Sequence, residues 1–282
     1  MTRWLLIGDP EWAPLSAFAD GLRLFGVECV WADHRSWTHL SHLSADAVAI
    51  YGLRAQGRDI LEHFAKQQVP VVVIDHGYMK RVHTDRDFAD GYFQIGMNRL
   101  GWVPPAAPAD RFAALGVTVK ARQPRPIRRA LIMGQVGHDA SHRRTPDELR
   151  ACYEALAQEL SHAGARVIAY RAHPLGQDVR PNLPMDDPRP LDDAIDAADL
   201  VVSLNSNAGL DAIIAGCPAV TLMASHYSAL AYRWPVRLAA VRPPSVERVT
   251  AHLERLAYAQ WTAAEMRAGL PHRFLQSLGV IP

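Results

Sequence analysis

Short runs that are apolar on both faces alternate with stretches whose apolar residues recur at helical spacing, and the alternation occurs twice along the chain. Residues 4–8, 27–32, 47–51 and 69–74 are such runs. A strand without a polar face must be covered on both sides, the condition met inside a parallel sheet. Residues 15–25 and 58–66 supply the helical periodicity between them. The first third therefore reads as a βαβ array.

The alternation then breaks. Residues 75–108 read as a long, aromatic, irregular connection, the kind of segment that tends to carry function. Residues 101–126 hold Pro104, Pro105, Pro108, Pro124 and Pro126, a proline density expected of a linker. After it the pattern restarts with an apolar run at 130–133. Thr145-Pro146-Asp147-Glu148 supplies an N-cap, a proline at the first helical position and a capping-box glutamate, opening a helix over 149–163. Runs at 166–170, 191–198, 200–203, 210–215, 219–223, 236–241 and 245–258 complete the series. The fold class this predicts is α/β, with two doubly wound halves facing a cleft. The expected domains are 1–118, 119–260 and a C-terminal segment, 261–282.

A chain of 282 residues, about half of them apolar, can bury a substantial core. Its formal charge of +1 excludes a generally basic surface, so any nucleic-acid contact must be local. Cys29, Cys152 and Cys217 are far apart and form no CxxC pair, which favours core positions over metal or disulfide. Residues 4–7 form too short an apolar run for a signal peptide or membrane span. A soluble protein in a reducing, cytoplasmic setting is expected.

Residues 200–220, LVVSLNSNAGLDAIIAGCPAV, place a polar cluster between a buried strand and a helix. Backbone N–H groups in a helix's first turn lack internal partners and carry partial positive charge. Ser206, Asn207 and Gly209 are small enough to admit an anion there, and Asp211 could accept hydrogen bonds from a ribose. The structural alternative is that Ser206 or Asn207 caps the helix and Asp211 favours its dipole. YRAHPLG (170–176) adds Arg171 and His173 at the end of the preceding strand. MGQVGHDASHRR (133–144) adds Gly134, Gln135, Gly137 and Ser141. On parallel strands all three loops share one rim, and together they read as a site for a nucleotide diphosphate.

The RxHP sequence, the Asp-Leu-Val-Val strand, the Ser/Asn-rich turn with its Gly and acidic residue, and the GxPAV strand resemble those of GT-B glycosyltransferases. Among these the chain is most similar to the capsule-polysaccharide and Kdo-transferase type. The segments GQVGHDASH, DHGYMKR, YFQIGMNRLGW and LAYAQWTAAEMRAG further resemble glycosyltransferase-like proteins of tailed phages. The family usually has Glu where this chain has Asp211. The resemblance implies a nucleotide-sugar donor, a UDP-sugar first of all, held by the C-terminal half, and an acceptor held by the N-terminal half. It implies no cofactor and no metal, and a C-terminal segment that returns to the N-terminal domain. Consistently, Asp186-Asp187 and Asp192-Asp193 lack a DxD context.

Glycosyl transfer needs a base for the acceptor hydroxyl and charge neutralisation for the leaving diphosphate. Asp75-His76, at the end of an apolar run, are the candidates for the base; Asp75 could serve itself or orient His76. The alternative is a turn capped by Asp75 with Gly77 at positive φ. Asp9 and Glu11 are weaker candidates, and the absence of GxGxxG there argues against a dinucleotide enzyme. For the acceptor, the phage-like resemblance implies hydroxymethylated pyrimidine in DNA. Lys120, Arg122, Arg125, Arg128 and Arg129 could track phosphates, as could Lys80, Arg81, Arg86 and Arg99. Tyr78, Tyr92, Phe93 and Trp102 could stack on an extruded base. A saccharide acceptor is the alternative, and a nucleotide-sugar epimerase or a sugar-binding protein would share the architecture.

Overall fold

The computed structural model describes residues 2–35, 37–39, 44–53, 56–81, 91–176, 178–185 and 189–282. The chain divides into one unit of Met1–Gly116 with Glu254–Pro282 and another of Val117–Leu253. The first unit thus takes up the chain again at Glu254, ahead of residue 261.

In the first unit the strands are β1 (Arg3–Ile7), β2 (Glu28–Ala32), β3 (Ala47–Tyr51), β4 (Val71–His76) and β5 (Tyr92–Met97). Helices α1 (Ala13–Arg23), α2 (Gly57–Lys66) and α3 (Asp110–Leu115) accompany them. The sheet is completed by a strand from the far end of the chain, Gln260–Thr262, in the order Gln260–Thr262, β5, β4, β3, β1, β2. β2, β1, β3 and β4 are parallel, and β5 runs antiparallel to both of its neighbours, β4 and the C-terminal strand. Residues 75–108 are therefore not one irregular connection. Tyr92–Met97 forms a central strand, buried because it has a partner on each side.

Trp4 and Leu6 alternate with Leu5 and Ile7 across β1, and all four are fully or almost fully buried, so both faces are covered. One face packs on Leu15, Phe18 and Leu22 of α1 together with Met266 and Leu275 near the C terminus. Gly21 allows this, because a Cβ there would lie 2.0 Å from the Met266 carbonyl oxygen.

In the second unit β6 (Arg129–Met133), α4 (Pro146–His162), β7 (Val167–Arg171), α5 (Leu191–Ala197), β8 (Leu200–Ser203), α6 (Ala208–Ile214), β9 (Ala219–Thr221) and β10 (Tyr232–Arg233) follow in order. The sheet order is β10-β9-β8-β6-β7, and every pair is parallel. Ala130, Ile132 and Val202 meet α4 through Leu149, Tyr153 and Leu156. Leu131, Met133 and Val201 meet Ala194, Ile195 and Ala212 on the other face. The Thr145 capping box forms: Thr145 Oγ1 accepts the Glu148 N–H and Glu148 accepts the Thr145 N–H. Residues 236–241 do not extend the sheet; only a 3-10 turn, Leu238–Ala240, forms there. Helix α7 (Val246–Ala257) leads to β11 (Gln260–Thr262), α8 (Ala263–Arg267) and α9 (Leu270–Ser277).

Cys217 lies in the core and burial pushes its thiol up to about 11, while Cys29 and Cys152 are half-buried free thiols. Among the described residues no helix is long and apolar enough to cross a membrane.

His272 on α9 gives the first unit a pH dependence. It is 1% exposed, its ring lies 6.1 Å from that of Trp4 and 4.8 Å from that of Phe25, and burial lowers its pKa. The unfolded chain takes up a proton below the ordinary histidine value, whereas the folded chain does so only at lower pH. Stability is therefore full above about pH 6.5 and is lost as pH falls through the folded value. Urea unfolding at about pH 7.5 and about pH 5.5 should show a smaller difference for His272→Leu than for the natural protein.

Candidate functional site

The parallel register of the second sheet brings three loops to one level. Met133 pairs with Arg171 on one side and with Ser203 on the other, so β6, β7 and β8 end together. The strand order reverses between β6 and β8, making this the topological switch point, outside whose carboxyl ends open α/β sheets bind ligands.

Hydrogen bonds lace the loops across that point. Gln135 Nε2 donates to Asn205 Oδ1 at 2.7 Å, and the Asn205 N–H donates back to Gln135 Oε1 at 3.3 Å. Ser141 Oγ donates to the same Asn205 oxygen at 3.4 Å. Asp139 shapes the β6 loop by accepting the Ser141 N–H on its side chain and those of His142 and Arg143 on its carbonyl. Asn205 had no distinguishing signal among its polar neighbours in the sequence. Its role comes from a partner 70 residues away.

Arg171 ends β7 half-buried, and His173 follows in a tight turn in which its Nδ1 accepts the Leu175 N–H at 3.1 Å. That bond places the proton of a neutral ring on Nε2. A guanidinium and an imidazole N–H at the rim suit a phosphate oxygen.

The rim glycines are also required by packing. A Cβ at Gly134 would lie 2.3 Å from Tyr170 Oη, and the Gly134 N–H is taken by the Arg171 carbonyl at 2.8 Å. A Cβ at Gly137 would lie 2.7 Å from Pro146. At Gly209 it would lie 2.3 Å from the hydroxyl of Tyr227, which is fully buried and bonded to Ser203 Oγ at 2.7 Å. Tyr227 thereby ties the end of β8 to the first turn of α6, a role the sequence did not reveal. Ser206 acts as the capping alternative describes: its Oγ accepts the Ala208 N–H at 3.3 Å and its carbonyl the Gly209 N–H at 2.9 Å. α6 has seven residues, with Asn207 at the N-cap position in helical conformation and Asp211, half-buried, in its first turn.

In the first unit Asp75 and His76 occupy the carboxyl end of β4, beside the end of β3. They are consecutive residues of one strand, so their side chains leave opposite faces of the sheet. Asp75 Oδ1 accepts the His76 backbone N–H at 2.7 Å, so this hydrogen bond orients the main chain and not the imidazole. Gly77 is not at positive φ. It is required because a Cβ would lie 2.5 Å from the Tyr92 carbonyl oxygen. Asp9 lies past the end of β1, where its side chain accepts the Glu11 N–H.

Several acceptor candidates turn out to be occupied structurally. Tyr78 is 2% exposed and donates its hydroxyl to Gln94 at 2.7 Å, so it offers no face to a base; burial and then the Asp75 charge raise its pKa. Phe93 is fully buried. Lys80 is exposed at positive φ, and Arg81 Nη1 reaches the Tyr78 carbonyl at 3.4 Å. Arg125 pairs with Asp199 and donates to the Ala198 carbonyl at 2.8 Å. The backbone N–H groups of Arg128 and Arg129 both donate to Asp199 Oδ2 at 2.8 Å. These three arginines stand at the amino end of the second sheet, opposite the rim loops. Arg86, Asp186 and Asp187 lie outside the described residues. Asp192 and Asp193 open α5, and among the described residues no group of three or more His, Cys, Asp or Glu could hold a metal ion.

Two doubly wound, Rossmann-like α/β units of this kind define the GT-B fold class. Two solved structures carry that assignment. The β-Kdo 2,4 transferase of Thermosulfurimonas dismutans KpsC matches with a TM-score of 0.52 over 89% of this chain and 89% of its own, at 14% identity. The β-Kdo 2,7 transferase of the same KpsC also matches at 0.52, over 96% of this chain and 99% of its own, at 16% identity. The likeness is one of fold. No protein-family model matches the sequence, and no curated protein does.

Proposed function

We propose that the protein is a metal-independent glycosyltransferase whose second unit holds a nucleotide-sugar donor at the loops after β6, β7 and β8. One observation carries this reading: Arg171 and His173 stand level with a switch point that Gln135 and Asn205 bridge. Arg171 and His173 neutralise the phosphate charge that develops as the glycosidic bond to the nucleotide breaks. Asp211 accepts from the ribose. In the first unit Asp75 or His76 takes the proton of the acceptor hydroxyl as that oxygen attacks the anomeric carbon. The resemblance to Kdo transferases supports the class of reaction, and a UDP-sugar is the first donor to try.

For the acceptor, a saccharide hydroxyl fits these residues better than DNA. Tyr78 is buried, and Arg125, Arg128 and Arg129 stand at the amino end of their sheet, away from the donor loops. The reading of hydroxymethylpyrimidine in phage DNA rests on the phage-like segments and on Lys80 and Arg81 beside the candidate base. A screen of nucleotide sugars against saccharides and hydroxymethylated DNA, read by mass spectrometry, separates the two.

The donor half is tested by calorimetry with Arg171→Ala. Loss of a charge-assisted hydrogen bond should weaken nucleotide-sugar affinity by about 1.5–3 kcal/mol with the fold intact. Unchanged affinity would remove Arg171 from the site.

A further inference from the structure

Gln260 is fully buried on β11, where the hydration its amide loses must be replaced by hydrogen bonds. Its Oε1 accepts two backbone N–H groups, from Tyr78 at 2.9 Å and Met79 at 2.8 Å, 182 and 181 residues away. Directly across the ladder stands Gln94 of β5. Its Nε2 donates to the His76 carbonyl at 2.9 Å, and its Oε1 accepts the Tyr78 hydroxyl at 2.7 Å and the Gly101 N–H at 3.2 Å. Two glutamines on one rung therefore hold the main chain from His76 to Met79, the segment that leaves β4 just after Asp75. Gly77 seats the same segment against the Tyr92 carbonyl.

Gln260 is itself anchored. The Arg111 guanidinium bonds the Gln260 carbonyl at 2.9 Å, binds Glu265 through both terminal nitrogens at 2.6 and 3.1 Å, and stacks 3.7 Å above the Trp261 ring. The strand that carries the amide is thus fixed by a half-buried ion pair and an aromatic contact. For packing alone, one apolar side chain at position 260 would do. An amide whose acceptor is spent on two consecutive loop N–H groups fixes where that loop runs.

We propose that Gln260, with Gln94 as its cross-strand partner, is a positioning residue that sets the geometry of the Asp75-His76 segment for proton transfer. This rests on the reading of that pair as the source of the base. A base acts only from a narrow range of positions, so loosening its loop lowers turnover and leaves donor affinity untouched, because the donor loops belong to the other unit.

The test compares the natural protein with Gln260→Met, which keeps the length of the side chain and removes its acceptor, and with Gln94→Met. Amide exchange at Tyr78 and Met79, the NMR chemical shifts of the His76 ring, turnover and donor affinity are measured on the full chain. Expected for Gln260→Met are faster exchange at both amides, displaced His76 ring resonances, turnover at saturating donor lower by about tenfold or more, and an unchanged donor constant. If Gln260→Met does not fold, Gln94→Met, which frees the His76 carbonyl, should show the same split. Faster exchange with unaltered His76 ring resonances and unaltered turnover would overturn the proposal, leaving the glutamines purely structural. Absence of transfer by the natural protein from any donor would instead overturn the transferase reading. In that case unmoved His76 ring resonances still count against the positioning role.

Discussion

Gly209→Ala should destabilise the second unit by about 1–3 kcal/mol and weaken nucleotide-sugar binding at the same time. The added methyl would sit 2.3 Å from Tyr227 Oη and 2.4 Å from Cζ. Tyr227 cannot yield cheaply, because its ring is fully enclosed and its hydroxyl is bonded to Ser203 Oγ at 2.7 Å. The strain passes to α6, a short helix whose displacement carries Ser206, Asn207 and Asp211 with it. A second change, Tyr227→Leu, opens the space and should return part of the lost stability in the double variant, a coupling that denaturant titrations of the four proteins measure. Strict additivity would show that the contact does not set the position of the helix.

The second large effect is on turnover. If Asp75 or His76 is the base, replacing it should lower the rate at saturating donor by about 10²–10⁴-fold and leave donor affinity unchanged. Asp75→Asn is a clean probe, since an asparagine oxygen can still accept the His76 N–H that Asp75 Oδ1 now accepts at 2.7 Å. His76→Gln tests the imidazole, which is exposed at the end of β4. The side chains leave opposite faces of the strand, so only one should carry the full effect. Equal small losses in both would exclude this segment as the source of the base.

The parts of the fold legible in the sequence are those set by local periodicity. The parallel strands other than β10 show as apolar runs, the capping box at Thr145 shows as spacing, and Leu200–Ser203 is delimited by its own polar turn. β5 and β11 were hidden because each needs its antiparallel neighbour, and Gln94 and Gln260 meet across more than half of the chain. The same limit applies to the site. Arg171 and His173 could be placed on the rim from strand direction alone, but the bridge from Gln135 to Asn205 requires the strand order. The rim glycines were visible as glycines, yet their reason lies behind the loops, in Tyr170, Pro146 and Tyr227. Basic residues in a row suggested a phosphate track; Asp199 pairs with the Arg125 side chain and accepts the backbone N–H groups of Arg128 and Arg129. Charge patterns report composition, and the partner decides the role.

Hydrogen–deuterium exchange of the full chain with and without a nucleotide sugar tests most directly whether the donor binds at the rim loops of the second unit. Added protection is expected in residues 134–141, 171–174 and 205–211, the three loops after β6, β7 and β8, with the same loops unresponsive in Arg171→Ala at matched ligand concentration. Protection confined to the first unit, or no protection of these loops by a donor that the protein demonstrably binds, would contradict donor binding there.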